Sequence, residues 1–101
     1  MGKAEIIWTE AALSNVNAIG AHIAVEASSE MAGAFVERLF ESTDRLEDFP
    51  YSGAETQENP AFRHVVVSGY RVIYRVLEAV EVIAVIAPGQ DAVKILTPTK
   101  K

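Results

Sequence analysis

Two arginines in the second half of the chain are spaced to act on one surface. Arg71 and Arg75 alternate with apolar residues, and alternate side chains of a strand project from the same face. Guanidinium groups placed in this way can bind a carboxylate or a phosphate through parallel hydrogen bonds. The alternative is that each arginine pairs with an acid of this chain, such as Glu78 or Glu81, at the solvent surface. The sequence therefore predicts either an anion-binding face or ordinary surface ion pairs.

His64 is the neighbouring residue that could exchange a proton near neutral pH. Its expected neighbours are arginines, which lower the pKa of an imidazole but do not orient the ring as a carboxylate would. We therefore favour a partly buried packing role for His64. The other histidine, His22, has only Glu26 at helical spacing as a possible second ligand, and a metal site needs more than that.

The residues that most enzymes use for covalent or cofactor chemistry do not occur in recognisable patterns. The chain has no cysteine, which excludes disulfides, thiolate metal sites and a cysteine nucleophile. It contains no glycine-rich phosphate loop and no Ser-His-Asp string. We therefore expect no metal site, no cofactor and no conventional small-molecule enzyme.

The length and composition indicate one globular domain that spans residues 1–101. Half of the 101 residues are hydrophobic, 23% are charged, and the net charge is -5. Residues 1–60 hold three bases and eleven acids, whereas residues 61–101 hold six bases and three acids. This acidic total argues against sequence-specific or general nucleic-acid binding. No signal peptide or membrane span is recognisable, so we expect a cytoplasmic protein without membrane contact.

The elements that must position Arg71 follow from the hydrophobic pattern. A short strand at residues 5–9 precedes a helix that Thr9 caps and that ends near Glu26. A second helix is predicted over residues 29–47, and the two should form an antiparallel hairpin. The apolar stripes of the two helices are Ala12, Val16, Ile19 and Ile23, and then Met31, Phe35, Leu39 and Leu46.

The rest of the chain predicts a turn, a loop and three strands. Residues 49–53 contain Pro50 and Gly53 and should return the chain toward a sheet, with Phe49 packed beneath the helical hairpin. Residues 54–60 are predicted to be a loop. The strands are expected at residues 62–67, 70–77 and 80–87, with a turn and then a short strand or helical turn beyond Pro88.

The Ser68-Gly69 turn sets the register of the first hairpin. It places Val67 opposite Tyr70 and His64 opposite Ile73, and opposite residues share a face. The face that is left open by the helices is predicted to bind a partner, because exposed apolar surface rimmed by charge usually marks an interaction site. Its predicted contact residues are Phe62, His64, Arg71, Ile73, Arg75 and Val82.

Several strings of the sequence resemble the ParE/RelE toxin superfamily of bacterial toxin-antitoxin systems. They are Trp8-Thr9-Glu10-Ala11-Ala12, Leu46-Glu47-Asp48-Phe49-Pro50-Tyr51-Ser52-Gly53 and Val67-Ser68-Gly69-Tyr70-Arg71-Val72-Ile73-Tyr74-Arg75-Val76. The resemblance implies an α+β fold of order β-α-α-β-β-β, in which a helical hairpin packs on one face of an antiparallel sheet. The hydrophobic pattern and the turn residues predict the same architecture.

The resemblance implies two different activities. RelE-like members cut messenger RNA on the ribosome, and here only Arg71 and His64 would match their catalytic set. ParE-like members have no catalytic residues and poison DNA gyrase. Pro88-Gly89-Gln90-Asp91 stands where many relatives carry cations, and no tyrosine follows Tyr74. We therefore expect a ParE-like gyrase inhibitor that is neutralised by a ParD-like antitoxin and serves plasmid stabilisation, with the ribonuclease or a non-toxic antitoxin-binding member as alternatives.

Overall fold

The first half of the chain forms a strand and a helical hairpin. The computed structural model describes residues 2–96, and its first elements are β1 (Ile6–Trp8), α1 (Glu10–Glu26) and α2 (Ser29–Glu41). Thr9 caps α1, as predicted, by accepting a hydrogen bond from the backbone N–H of the third helical residue at 3.3 Å. Ser28 caps α2 in the same way at 3.0 Å.

The second helix ends six residues earlier than the sequence predicts. The hydroxyl of Ser42 donates to the carbonyl of Leu39 at 2.6 Å, and the hydroxyl of Thr43 donates to the carbonyl of Phe40 at 2.9 Å. Such side-chain bonds compete with the continuing helix ladder, and a separate 3₁₀ turn follows at Asp44–Glu47. The predicted burial of Leu46 is nevertheless confirmed, since this side chain is 0% exposed.

Within the described residues the sheet has five strands rather than the four that the sequence predicts. After β1 they are β2 (Ala54–Glu55), β3 (Arg63–Val67), β4 (Tyr70–Val76) and β5 (Val80–Ile86). The spatial order is β1-β5-β4-β3-β2, with β1 parallel to β5 and the other pairs antiparallel. The prediction of a loop over residues 54–60 is wrong for its first two residues, because a two-residue strand is too short to show alternation. The predicted α+β class and element order are confirmed.

The hairpin between β3 and β4 has the predicted register. Ser68 and Gly69 have φ values of 51° and 85°, as a two-residue turn of type I′ requires at both positions. Val67 pairs with Tyr70, and His64 pairs with Ile73. The side chains of β3 and β4 therefore alternate between the two faces as expected.

A β-bulge changes the alternation in β5. Ile73 lies opposite Ala84 and Tyr74 lies opposite Val82, so Ile83 has no paired residue in β4. Val82 belongs to the core beneath the helices and is 0% exposed. The prediction that Val82 shares a face with Arg71 is wrong, because it assumed a two-residue turn between β4 and β5, whereas Val76 pairs with Val80 and three residues form the turn.

The main core lies between the helical hairpin and the sheet. Apolar residues of α1, α2 and the 3₁₀ turn meet those of β3, β4 and β5 there, as amphipathic layers do when they pack. Its buried members are Ala12, Val16, Leu39, Leu46, Val67, Val72, Tyr74, Val80, Val82 and Val85.

Phe49 does not belong to this core and is 66% exposed. The turn that carries it is held at the surface by Arg63, which donates to the carbonyls of Tyr51 at 3.1 Å and Gly53 at 2.7 Å. The hydroxyl of Tyr74 accepts from the N–H of Gly53 at 2.9 Å. The prediction that Phe49 packs beneath the hairpin is wrong, because Leu46 fills the core from this end of the chain segment.

The other face of the sheet is partly covered by a short helix, α3 (Ala92–Leu96). Gly89, with a φ of 88°, lies in the turn that leads to it. A second, smaller core forms beneath α3 from Ile73, Ala84, Ile86, Ala92 and Leu96. The sequence left open whether this segment is a strand or a helical turn, and the structure shows the helix. No helix within residues 2–96 has the length and apolarity needed to cross a membrane.

Candidate functional site

Arg71 lies at the centre of a polar cluster on the face opposite α1 and α2. Its two terminal nitrogens donate to the two carboxylate oxygens of Glu58, each at 3.0 Å. Its Nε donates to Nδ1 of His64 at 2.9 Å. The side chains of Arg71 and Glu58 are 22% and 20% exposed, so the ion pair is neither fully buried nor fully hydrated. Arg71 thus holds a carboxylate in the bidentate geometry that its planar fork favours.

The surroundings of Glu58 and His64 in this cluster lower the pKa of both side chains. Hydrogen bonds from Arg71 are the largest cause that lowers the pKa of Glu58 to about 2, and a hydrogen bond from the backbone N–H of Glu58 is the next. Burial, followed by the positive charge of Arg71, lowers the pKa of His64 below its ordinary value of 6.5. An imidazole nitrogen that accepts a hydrogen bond carries no proton, so His64 is neutral with its proton on Nε2.

The loop that presents Glu58 is braced by Thr56 and Asn59. The hydroxyl of Thr56 donates to the carbonyl of Asn59 at 2.6 Å and accepts from its N–H at 3.1 Å. The side-chain amide of Asn59 accepts from the N–H of Ala61 and donates to the carbonyl of Leu96, both at 3.0 Å. The loop is therefore closed on itself and tied to the end of α3.

Arg75 does not join Arg71 in a common site. Its Nε donates to the carboxylate of Glu81 at 3.0 Å, and Glu81 lies directly opposite on β5. The two side chains are 44% and 27% exposed, and an exposed pair of this kind contributes about 0.2–1 kcal/mol. Of the two arrangements that the sequence allows for Arg75, an anion-binding face or a surface ion pair, the structure shows the ion pair.

The predicted contact residues are distributed over four environments, two of which are the surface ion pair of Arg75 and the main core that holds Val82. His64 and Arg71 lie together in the polar cluster. Phe62 packs against the small core beneath α3, and Ile73 is part of that core with 0% exposure. The accessible apolar residue beside Arg71 is instead Val66, which pairs with it across the hairpin and is 57% exposed.

Glu58 and Asn59 are the site residues that the sequence analysis missed. Glu58 precedes Arg71 by thirteen positions and lies in a segment without periodicity, so no spacing rule connects the two. The Thr56–Asn59 spacing is that of a side-chain-closed turn, and this is the signal that could have indicated an ordered loop.

The cavity beside the cluster can hold an anion only by displacing Glu58. It has a volume of about 300 Å³ and is lined by Glu55, Gln57, Glu58, His64 and Arg71. Among the described residues, Arg71 is the single cation of this lining, and neither a lysine nor a tyrosine belongs to it. Within residues 2–96 no group of three or more His, Asp or Glu side chains is placed to hold a metal ion.

Comparison with known proteins gives one family and several similar folds. The model of a family described as the ParE toxin of the type II toxin-antitoxin system parDE matches residues 6–92. The chain is similar to a chain of the chromosomal ParDE toxin-antitoxin system from Pseudomonas aeruginosa, with a TM-score of 0.76 and 19% identity over 85% of this chain and 97% of that one. It is also similar to a chain of the toxin-antitoxin complex RelBE2 from Mycobacterium tuberculosis, with a TM-score of 0.56 and 16% identity over 89% of this chain and 97% of that one. A search of curated proteins gives no significant match.

Proposed function

Because the chain belongs to the ParE toxin family of type II toxin-antitoxin systems, we propose that it inhibits DNA gyrase and is neutralised by a ParD-like antitoxin. Inhibition in this proposal is by binding, with no catalytic residue supplied by the toxin. Gyrase works in the cytoplasm, so the proposal also assigns the toxin to that compartment. Stabilisation of a plasmid or chromosomal segment would follow from the paired action of toxin and antitoxin.

The observation that favours gyrase over messenger RNA as the target is the state of Arg71. Cleavage of a phosphodiester needs cations for the developing charge and groups that donate and accept protons. The fork of Arg71 is occupied by Glu58, and the part of the cavity lining that residues 2–96 form offers neither a second cation nor a phenol. The acidic residues Glu55 and Glu58 in that lining also repel a phosphate backbone.

The antitoxin surface in this proposal is the face that carries Arg71. This face exposes apolar surface at three side chains. Val66 lies beside Arg71 and is 57% exposed, and on the outer side of α3 Val93 is 54% exposed and Ile95 is 45% exposed. Such surface next to an arginine suits an amphipathic segment that contains acidic side chains. Ile73 and Val82 are excluded from this surface by their burial. The similarity to chains of the ParDE and RelBE2 toxin-antitoxin systems supports the existence of an antitoxin partner.

The experiment that tests the target compares two assays on the same purified chain. We expect inhibition of gyrase supercoiling, and no cleavage of messenger RNA on translating ribosomes by primer extension. Co-expression with a ribbon-helix-helix protein encoded next to this chain should restore growth. Growth unaffected by the toxin alone, together with uninhibited gyrase, would instead identify a non-toxic antitoxin-binding member.

A ribosome-dependent ribonuclease is the second candidate, because the neutral imidazole of His64 lies 2.9 Å from the Arg71 guanidinium. A base next to a cation is part of what such a reaction needs. Codon-dependent cuts that disappear in both Arg71→Ala and His64→Ala would establish this activity and overturn the gyrase proposal.

A further inference from the structure

Glu58 binds Arg71 as the carboxylate of a separate molecule would. Both oxygens accept from the two terminal nitrogens of the guanidinium at the same distance of 3.0 Å. This is the fork-to-fork contact by which arginine recognises carboxylates across interfaces. The site on Arg71 is therefore complete in its geometry and filled from within the chain.

The Glu58 side chain can leave Arg71 without opening the loop that carries it. Apart from the backbone N–H of Glu58 itself, Arg71 is the sole hydrogen-bond partner of the Glu58 carboxylate among the described residues. The loop itself is closed by the hydroxyl of Thr56 and the amide of Asn59. Glu58 is partly exposed, so its displacement moves one side chain toward solvent and leaves the backbone in place.

We propose that Glu58 is an internal plug on a carboxylate-binding site at Arg71, and that an acidic side chain of the antitoxin replaces it in the complex. This inference rests on the proposed function for the identity of the partner, whereas the plugged site itself rests on the contacts of this chain. The antitoxin would exchange one Arg71–carboxylate pair for another.

A carboxylate suits the site better than a phosphate does. The fork is already matched to a planar group with two oxygens, and the cavity lining holds Glu55 in addition to Glu58. A polyanionic backbone would meet these acids along its length, whereas a single acidic side chain that enters next to Val66 need displace only Glu58. His64 keeps its bond to Nε of Arg71 during the exchange and holds the guanidinium in its present plane.

The plug lowers the apparent affinity of the site for any competing carboxylate. In the open form of the site, the Glu58 side chain has left Arg71. The apparent affinity of a ligand that binds only this form is reduced in proportion to the fraction of molecules that are open. Glu58→Gln removes the charge of the plug and keeps its size, so the open form becomes more populated. The variant should then bind external carboxylates more tightly than the wild-type chain.

The experiment is a titration of the full chain with a short alanine-based peptide that contains a single glutamate, followed through the backbone N–H resonance of Val66, which pairs with residue 71. We expect about tenfold tighter binding by Glu58→Gln than by wild type, and no binding by the double variant Glu58→Gln with Arg71→Lys. Glu55→Gln is the matched control, because it removes the same charge from the same cavity lining without touching Arg71. Its gain in affinity should be much smaller than that of Glu58→Gln, because Glu58 still fills the fork of Arg71.

Three results would overturn the plug: equal affinity in Glu58→Gln and wild type, an equal gain in Glu55→Gln, or tighter binding of inorganic phosphate than of the peptide. The last result would point to a phosphate-bearing ligand. A thermal melt of each variant shows that it is folded during the titration. Gyrase inhibition is measured separately on the wild-type chain, so failure of the plug and failure of the proposed function give different outcomes.

Discussion

The two faces of the sheet are made from alternate residues of the same strands, yet they are completed in different ways. The face beneath α1 and α2 is closed by long helices whose apolar stripes match it. The face that carries Arg71 is closed by a five-residue helix and by a loop with no repeating pattern. One face is therefore fixed by periodic burial, whereas the other depends on a few individual polar contacts. This difference predicts where substitutions should cost stability and where they should alter binding.

The largest expected effect is at the helix-side core. Leu46→Ala should lower the free energy of unfolding by about 2–5 kcal/mol, because it leaves a cavity at a site with 0% exposure. Phe49→Ala, three residues later and 66% exposed, should stay within about 0.5 kcal/mol. Urea denaturation of both variants measures the contrast. Equal losses would show that the turn at residues 49–53 is as deeply packed as the core.

The second largest loss of stability is expected at Gly53, where the turn at residues 49–53 contacts the core residue Tyr74. A Cβ at Gly53 would lie 2.6 Å from the hydroxyl of Tyr74 and 2.7 Å from the carbonyl of His64. Gly53→Ala should therefore destabilise the chain by about 1–3 kcal/mol through overpacking. Gly33→Ala in α2 meets nothing within 4 Å and should instead stabilise by about 0.5–1 kcal/mol, since alanine favours helix. Thermal unfolding distinguishes the two, and the same sign in both variants would contradict this explanation.

A smaller loss is expected on the Arg71 face. Asn59→Ala removes the amide that joins the 56–62 loop to the carbonyl of Leu96, and the lost hydrogen bonds should cost about 1 kcal/mol. Hydrogen exchange should show faster opening of α3 in this variant, with the helix-side core unchanged. Gln57→Ala serves as the control in the same loop, because Gln57 is exposed. Unchanged exchange in α3 would mean that the small core alone holds this helix.

The smallest effect is the pH dependence of stability from His64, whose pKa is lowered in the folded chain from 6.5. As the pH falls, His64 is therefore protonated first in the unfolded chain. The stability that the neutral His64 contributes is fully present above pH 6.5 and is lost as the pH falls toward the pKa of His64 in the folded chain. Between about pH 7.5 and about pH 5.5, the melting temperature of wild type should fall more than that of His64→Gln. Glu58 stays ionised across this range, because its pKa is lowered from 4.5 to about 2. The control variant His22→Gln should show the same fall in melting temperature as wild type. A smaller fall in His22→Gln would show that His22, rather than His64, causes the pH dependence.

The features that the sequence predicted are those with a period or a local rule. The cap at Thr9, the Ser68-Gly69 turn and the two apolar stripes that contain Val16 and Leu39 each depend on neighbours a few residues away. These signals were sufficient for the α+β class and for the position of Arg71 on the sheet. They did not reveal where α2 ends, because the hydroxyls of Ser42 and Thr43 that end it can also point into solvent.

The polar cluster was only half predictable. The hairpin register brought His64 near Arg71, since both lie on paired strands. Glu58 enters from a loop whose path is fixed by contacts with Leu96, at the far end of the described chain. Such a contact joins two segments without periodicity, so it has no sequence signal that is visible in either one. Val82 was misplaced because the turn between β4 and β5 has three residues rather than two, and nothing in its sequence marks the extra residue.

The bulge at Ile83 also determines how β5 can change in length. The residues before Ile83 already lie on the faces that they would occupy in a regular strand one residue shorter. Loss of the codon for Ile83 would therefore leave Val82 under the helices and Glu81 opposite Arg75. Loss of a codon farther from the bulge would exchange core for surface at the residues between the two positions. Insertions and deletions among related chains should thus accumulate at Ile83 and its two neighbours. A sequence comparison that ignores the bulge would misassign the residues on one side of it.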